Sequence, residues 1–311
     1  MTSKLKVSEI FGPAGYWNFN VQKDGSFEYE FVERWGVTQG EGKHIGTRSV
    51  FIRSFACNLT CPSFGLDHGE KTSEPDDFAK AISVYKNISE TPAAQYGCDS
   101  YFSWHPGFKS LSPMLNSEEV VRMAIESAGG SFDSNPYDPI HLIFTGGEPM
   151  MPGWQKSMSE IMANISSRLA KTVALPVTIE TNGTQPVGKA FKVPTGVKLT
   201  WSVSPKLSAS GHSKDETLFP EVIAEYLKES SDLYLKFVVQ SEKDFDEVDD
   251  FVRAYEKETG IRFKVYIMPE GGTPAEYRKH STLDLVSMAV RRGYNITPRL
   301  QVLVGENLTG W

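Results

Sequence analysis

SVFIRSFACNLTC, residues 49–61, is an apolar strand that runs directly into two cysteines with three residues between them. Val50, Phe51 and Ile52 read as a short buried strand ending near Arg53, and Cys57 and Cys61 follow in a polar loop. The chain holds three cysteines, and the third, Cys98, stands in GCDSYFSW, residues 97–104. Together the three thiolates suit one iron–sulfur cluster. A cluster that only carries electrons usually takes four thiolates, so three leave one iron open for another ligand. Two other readings fit the cysteines alone. They could be small buried hydrophobes, or they could share a zinc ion with His68 or His105.

Composition narrows the class. A chain of 311 residues can bury a sizeable core, and 40% hydrophobic with 23% charged residues is ordinary for a globular protein. The formal net charge of -7 argues against a general nucleic-acid binder. No stretch is long and apolar enough to span a membrane, and MTSKLKVSEIFG lacks the apolar core of a signal peptide. An odd number of cysteines fits a reducing compartment, so a cytoplasmic location is expected.

Outward from residues 49–61, the chain becomes an alternation of strands and helices. Upstream, residues 1–35 read as an N-terminal extension with a strand in FEYEFVERW, residues 27–35. The glycine-rich loop TQGEG, residues 38–42, comes next. Downstream, residues 62–116 form a long irregular segment rich in proline, serine, glycine and aromatics, which predicts a packed and functional loop. NSEE, residues 116–119, reads as a capping box that opens a helix. Strands are then expected at 140–144, 176–180, 197–203, 232–239 and 262–268, with a last one near 298–304. Helices are expected at 154–169, 218–229, 243–258 and 275–292. The alternation argues an α/β fold with a parallel sheet, curved or closed, and helices outside. In such a fold the functional residues sit at the carboxyl ends of the strands, where this sequence places its cysteines, GGEP (146–149), ETNG (180–183), SVSPK (202–206) and MPEG (268–271).

At this point the motifs carry a likeness. The cysteines with TGGEP (145–149) and ETNGT (180–184) resemble the radical S-adenosylmethionine superfamily. Within it, TQGEG, FIR (51–53), CNLTC (57–61), CDS (98–100), SPK (204–206), LKFVV (235–239) and MPEG look like the family of 7-carboxy-7-deazaguanine synthases. The resemblance implies a single domain over residues 1–311, a partial (β/α)6 barrel with an inserted cluster-side loop. It implies a [4Fe–4S] cluster on Cys57, Cys61 and Cys98, whose open iron chelates S-adenosylmethionine. Gly146, Gly147, Glu148, Glu180, Asn182, Ser204 and Lys206 would contact that cofactor. Gln39, Gly40, Glu41, Arg53 and Gln301 would contact a small pterin acid, Arg53 as a fork for a carboxylate. Each has a plainer reading: an ordinary βα turn for GGEP, solvated rim groups for Glu180 and Lys206, and an ion pair for Arg53. The implied reaction is a radical ring contraction of 6-carboxy-tetrahydropterin with loss of ammonia, in 7-deazapurine (queuosine-type) synthesis. Magnesium, a flavodoxin or ferredoxin as electron donor, and a homodimer are further expectations. Another radical enzyme, such as a glycyl-radical activase, is the nearest rival.

Two departures from the family pattern stand out. The family's third cysteine stands two intervening residues beyond the second and precedes Asp-Thr, but Phe64 occupies that position here. Cys98-Asp99-Ser100 restores the pattern if residues 62–97 are an insertion, and Ser100 then takes the threonine's place as a magnesium-facing hydroxyl. Near the C-terminus Gln301 stands where the family has a histidine. It can hydrogen-bond alike but cannot carry a proton at neutral pH.

Overall fold

Residues 4–33, read above as an extension, are three strands of the main sheet. Alternating apolar residues in β1 (Lys4–Gly12), β2 (Gly15–Val21) and β3 (Phe27–Glu33) produce an antiparallel meander. The structure, a computed structural model, describes residues 2–305 except 35 and 68. Strand β4 (Ser49–Ser54) pairs antiparallel with β1 and parallel with the strand after the long loop. That loop contains a short helix α1 (Glu74–Lys80), several 3₁₀ turns and a three-residue strand β5 (Met114–Asn116), which pairs with β1. Helix α2 (Ser117–Ser127) opens on the expected capping box between Asn116 and Glu119.

The parallel region follows in chain order. Its elements are β6 (His141–Gly146), α3 (Gln155–Ser166), β7 (Leu175–Thr181), β8 (Val197–Val203), α4 (Lys214–Thr217), α5 (Pro220–Glu229), β9 (Leu233–Val239), α6 (Glu242–Thr259) and β10 (Lys264–Pro269). Helices α7 (Pro274–His280) and α8 (Leu283–Arg291), strand β11 (Asn295–Ile296) and helix α9 (Leu300–Gly305) complete the described chain. The sheet order is β11-β10-β9-β8-β7-β6-β4-β1-β2-β3, parallel from β11 to β4. Runs such as LYLKFVV in β9 are buried along nearly their whole length, as expected where a parallel strand is covered on both faces.

Two local expectations need correction. The helix expected at 275–292 is two helices, because Thr282 turns its side chain onto the Leu285 N–H and starts a new N-cap there. The strand expected near 298–304 is instead the two-residue β11 followed by α9, since Pro298 cannot donate to a ladder and halts the strand. Between β7 and β8, where no helix was expected, the chain passes through an irregular segment. The long loop is also less irregular than its composition suggested. Ile88, Ala94, Tyr101, Phe102, Phe108 and Leu111 form a second hydrophobic core, against which Val21 of β2 packs. No helix is long and apolar enough to cross a membrane among the described residues.

Candidate functional site

Every parallel strand ends on the same edge of the sheet, so their following loops converge. Cys57 and Cys61 lie just past β4. The loop is held in a conformation most residues avoid, with positive φ at Ala56 (106°) and Cys61 (46°). The GGEP turn explains how it is held. The Gly147 N–H donates to the Ser54 carbonyl (3.2 Å) and the Glu148 N–H to the Ala56 carbonyl (2.8 Å). A Cβ on Gly147 would lie 2.3 Å from that Ala56 oxygen and 2.9 Å from the Cys57 Cβ. The glycine therefore admits the cysteine loop, a closer neighbour than the ligand expected from the sequence.

Cys98 arrives from the opposite side. The Ala56 N–H donates to the Ser103 carbonyl (2.7 Å), stitching the segment after Cys98 to the loop that carries Cys57. All three cysteines are free thiols and line one cavity of about 250 Å³. Burial pushes the Cys57 thiol up to about 12 and raises Cys61 and Cys98 as well, while Lys206 acts in the opposite direction on all three. His212, which sequence reasoning missed, accepts from the Cys61 N–H (3.0 Å) and the Thr60 N–H (3.3 Å) through Nε2. Its ring thus anchors the loop from beyond β8.

The same cavity is lined by Gln39, Gly40, Glu41, Arg53, Ser100, Gly146, Gly147, Glu180, Asn182, Ser204, Lys206 and Gln301, which the sequence nominated. Glu148 is the exception. It is fully buried behind the wall, where it accepts from the Met150 N–H (2.8 Å), the Asn182 N–H (2.7 Å) and the Thr181 hydroxyl (2.7 Å), and burial raises its pKa. Its carboxyl therefore joins the GGEP and ETNG turns to each other. Asn182 is likewise engaged within the protein, its side-chain Nδ2 donating to the side-chain Oδ1 of Asn58 in CNLTC (3.0 Å).

The floor of the cavity is a buried charge network. Glu41 meets Lys236 Nζ at 2.5 Å and Arg299 Nε at 3.2 Å, and Gln301 Nε2 donates to the same carboxylate. Burial raises the Glu41 pKa, but Lys236 and Arg299 outweigh it and hold the carboxyl at about 2. Arg299 also pairs with Asp99 and donates to the Gly271 carbonyl (2.8 Å). Gln39 donates to Glu180 (2.8 Å), so the TQGEG loop and the ETNG strand end are directly bonded. Arg53 points Nε at Glu9 (2.7 Å) and Nη1 at the Ser100 hydroxyl (3.0 Å), and that hydroxyl donates to Asp99 (3.0 Å). Glu9 and Arg299 were not foreseen. Their partners are 44 and 258 residues away, and no local pattern marks them.

The donor set discriminates between a cluster and a single ion. Among the described residues, no three His, Cys, Asp or Glu side chains are grouped to hold one metal ion. His105 donates from Nε2 to Asp76 (3.1 Å) and accepts from the Gly107 N–H through Nδ1 (3.1 Å), so neither nitrogen is available to the thiols. His68 lies outside the described residues. Three thiols around one shared cavity fit a cluster with one iron left open.

Most of the chain also matches known proteins. A 7-carboxy-7-deazaguanine synthase of Pyrobaculum aerophilum is 27% identical over 281 residues, covering 90% of this chain and 96% of its own. The chain is a relative of the 7-carboxy-7-deazaguanine synthases. The synthase of Halobacterium salinarum is 28% identical over 288 residues, with 85% of each chain covered. Among solved structures, the crystal structure of QueE from Escherichia coli shares the fold with a TM-score of 0.50 at 16% identity, over 96% of this chain and 94% of that one. No family model matches the chain.

Proposed function

We propose that this protein contracts the ring of 6-carboxy-5,6,7,8-tetrahydropterin to 7-carboxy-7-deazaguanine, as a radical S-adenosylmethionine lyase of 7-deazapurine synthesis. The observation that carries the proposal is the convergence of Cys57, Cys61 and Cys98 on one cavity with the GGEP and ETNG turns and the Glu41 network. When bound, the [4Fe–4S] cluster and S-adenosylmethionine supply the radical that removes a hydrogen from the substrate. The protein's share is to bind, orient and exclude water.

Cys57, Cys61 and Cys98 would hold the cluster, and residues 62–97 are the insertion that carries the third ligand to it. Gly146, Gly147, Asn182, Ser204, Lys206 and the rim of Glu180 would border S-adenosylmethionine, with Glu148 supporting them from behind. On the other side, Gln39, Gly40, Glu41 and Gln301 would face the pterin ring. Glu41 stays ionised and offers acceptors to ring N–H groups. Arg53 would hold the substrate carboxylate, exchanging part of its contact with Glu9 and Ser100 for it. Ser100 Oγ and the Asp99 carboxylate lie side by side and suit a magnesium ion that also takes substrate and water oxygens. The parallel strands β4 to β10 would form the partial barrel of one domain. A flavodoxin or ferredoxin donor, a homodimer and a cytoplasmic setting complete the reading. Anaerobic reconstitution tests it. The protein should bind four irons, cleave S-adenosylmethionine and yield the ring-contracted acid in a magnesium-dependent manner. A colourless protein that binds zinc alone, or cofactor cleavage without ring contraction, would refute it.

A further inference from the structure

Trp104 is a large polar side chain that the proposed chemistry does not use. Its indole Nε1 is buried and makes no hydrogen bond of good geometry among the described residues. A buried N–H without an acceptor carries a desolvation cost, so a partner completed by ligand binding is the natural reason for keeping one. The ring lines the same cavity as Cys98.

The backbone explains the placement. Tyr101 N–H donates to the Cys98 carbonyl (3.3 Å), Ser103 N–H to the Ser100 carbonyl (2.9 Å) and Trp104 N–H to the Tyr101 carbonyl (3.1 Å). These are i to i+3 contacts of a 3₁₀ turn spanning Tyr101–Ser103. The two successive bonds, from Tyr101 back to Cys98 and from Trp104 back to Tyr101, fold the chain so that residue 104 stays close to residue 98. The ring is then fixed from outside by an edge-on contact with His105, centroids 5.6 Å apart. His105 is itself held by Asp76 and the Gly107 N–H.

We propose that the Trp104 indole N–H donates a hydrogen bond to the Cys98 sulfur in the cluster-loaded protein and so raises the reduction potential of the cluster. The inference rests on the cluster reading above. Hydrogen bonds to cluster sulfurs are one of the levers that set the potential, because they stabilise the more negative, reduced state. A thiolate acceptor makes the bond charge-assisted. Cys57 accepts a backbone N–H, from Leu59 at 3.4 Å, so the side-chain donor distinguishes Cys98.

The test is a one-electron redox titration of the reconstituted protein, followed by electron paramagnetic resonance, in two variants. Trp104→Phe keeps an aromatic ring without the donor. Replacing Trp104 with benzothienylalanine keeps the bicyclic shape and exchanges the N–H for sulfur. With four irons bound, each variant should show an about tenfold lower reduced-to-oxidised ratio at a fixed potential, which is about 59 mV for one electron. An unchanged potential in the benzothienyl variant overturns the proposal, whether or not Trp104→Phe folds, because only the N–H has been removed. If the wild-type protein holds no four-iron cluster, the cluster reading itself fails, and this inference with it.

Discussion

Arg53 occupies two roles that the sequence could not separate. It lies in the cavity wall as a substrate group would, yet Nε is already paired with Glu9 at 2.7 Å. A lysine would keep the charge but lose the fork that can serve Glu9, Ser100 and a carboxylate together. Losing such a partner costs roughly 2–5 kcal/mol of binding, and about 1.4 kcal/mol is a factor of ten. Arg53→Lys should therefore lower ring-contracted product by at least about 30-fold, while uncoupled methionine release from S-adenosylmethionine continues. Both activities measured side by side decide it, and an equal fall in both would make Arg53 a support of the fold. Glu41 gives a second prediction, with a defined pH direction. Its carboxyl is held at about 2 against an ordinary 4.5, so its stabilising effect is full above the ordinary value and is lost as pH falls through about 2. Glu41→Gln removes one side of a buried pair and should cost roughly 3 kcal/mol near neutral pH. By about pH 2.5 the gap between wild type and variant in urea unfolding should narrow. A gap of constant size would mean that the charge on Glu41 does not stabilise the fold.

Among the elements, the decisive contact is between two turns. The GGEP glycines press on the loop that carries Cys57, and Gly147 leaves no room for a methyl group beside the Ala56 carbonyl. Gly147→Ala should displace the cysteine loop and reduce iron uptake several-fold, while far-ultraviolet dichroism stays unchanged. Full iron content in that variant would show that the loop can shift without loss. What was legible at this scale follows from where the information sits. The strand ends, CNLTC, GGEP and ETNG are each written in a few consecutive residues, and the structure gathers all of them except the Glu148 side chain into one wall. Glu148 was misread because a motif says which residues occur together and not which way a carboxylate turns. Glu9, His212 and Arg299 act through partners far along the chain. The break between α7 and α8 was written in Ser281-Thr282, but hydrophobic spacing on both sides concealed it.

On the scale of the molecule, apolar packing falls into separate cores, and the cavity wall takes Phe102 and Trp104 from one and Phe11 and Phe51 from a third one. The main core lies between the sheet and its helices, and the smaller one lies under residues 78–111. Cys98 belongs to the side of the smaller core, whereas Cys57 and Cys61 belong to the sheet. A cluster held by all three would therefore tie the less extensive core to the larger one, and binding to the folded state alone stabilises what it holds. Amide hydrogen exchange should slow across residues 78–111 when the cluster is assembled, with β6 and β7 changing little. Uniform slowing throughout, or none in that segment, would show that the two cores already open as one unit.

The order of the ligands along the chain also matters during synthesis. All three thiols leave the ribosome before β6 to β11 exist, and Arg299 follows Cys98 by 299 − 98 = 201 residues. At about 5–20 residues per second the growing chain shows these sulfurs to the surrounding solution for about 10–40 s before the opposite wall can close over them. Chains stalled on the ribosome after residue 150 should thus still be labelled by a maleimide at Cys61, which is only 5% exposed in the complete fold. Protection at that length would mean that the first half shelters its own sulfurs. Labelling at that length would mean that the sulfurs meet the solution before the rest of the sheet closes over them.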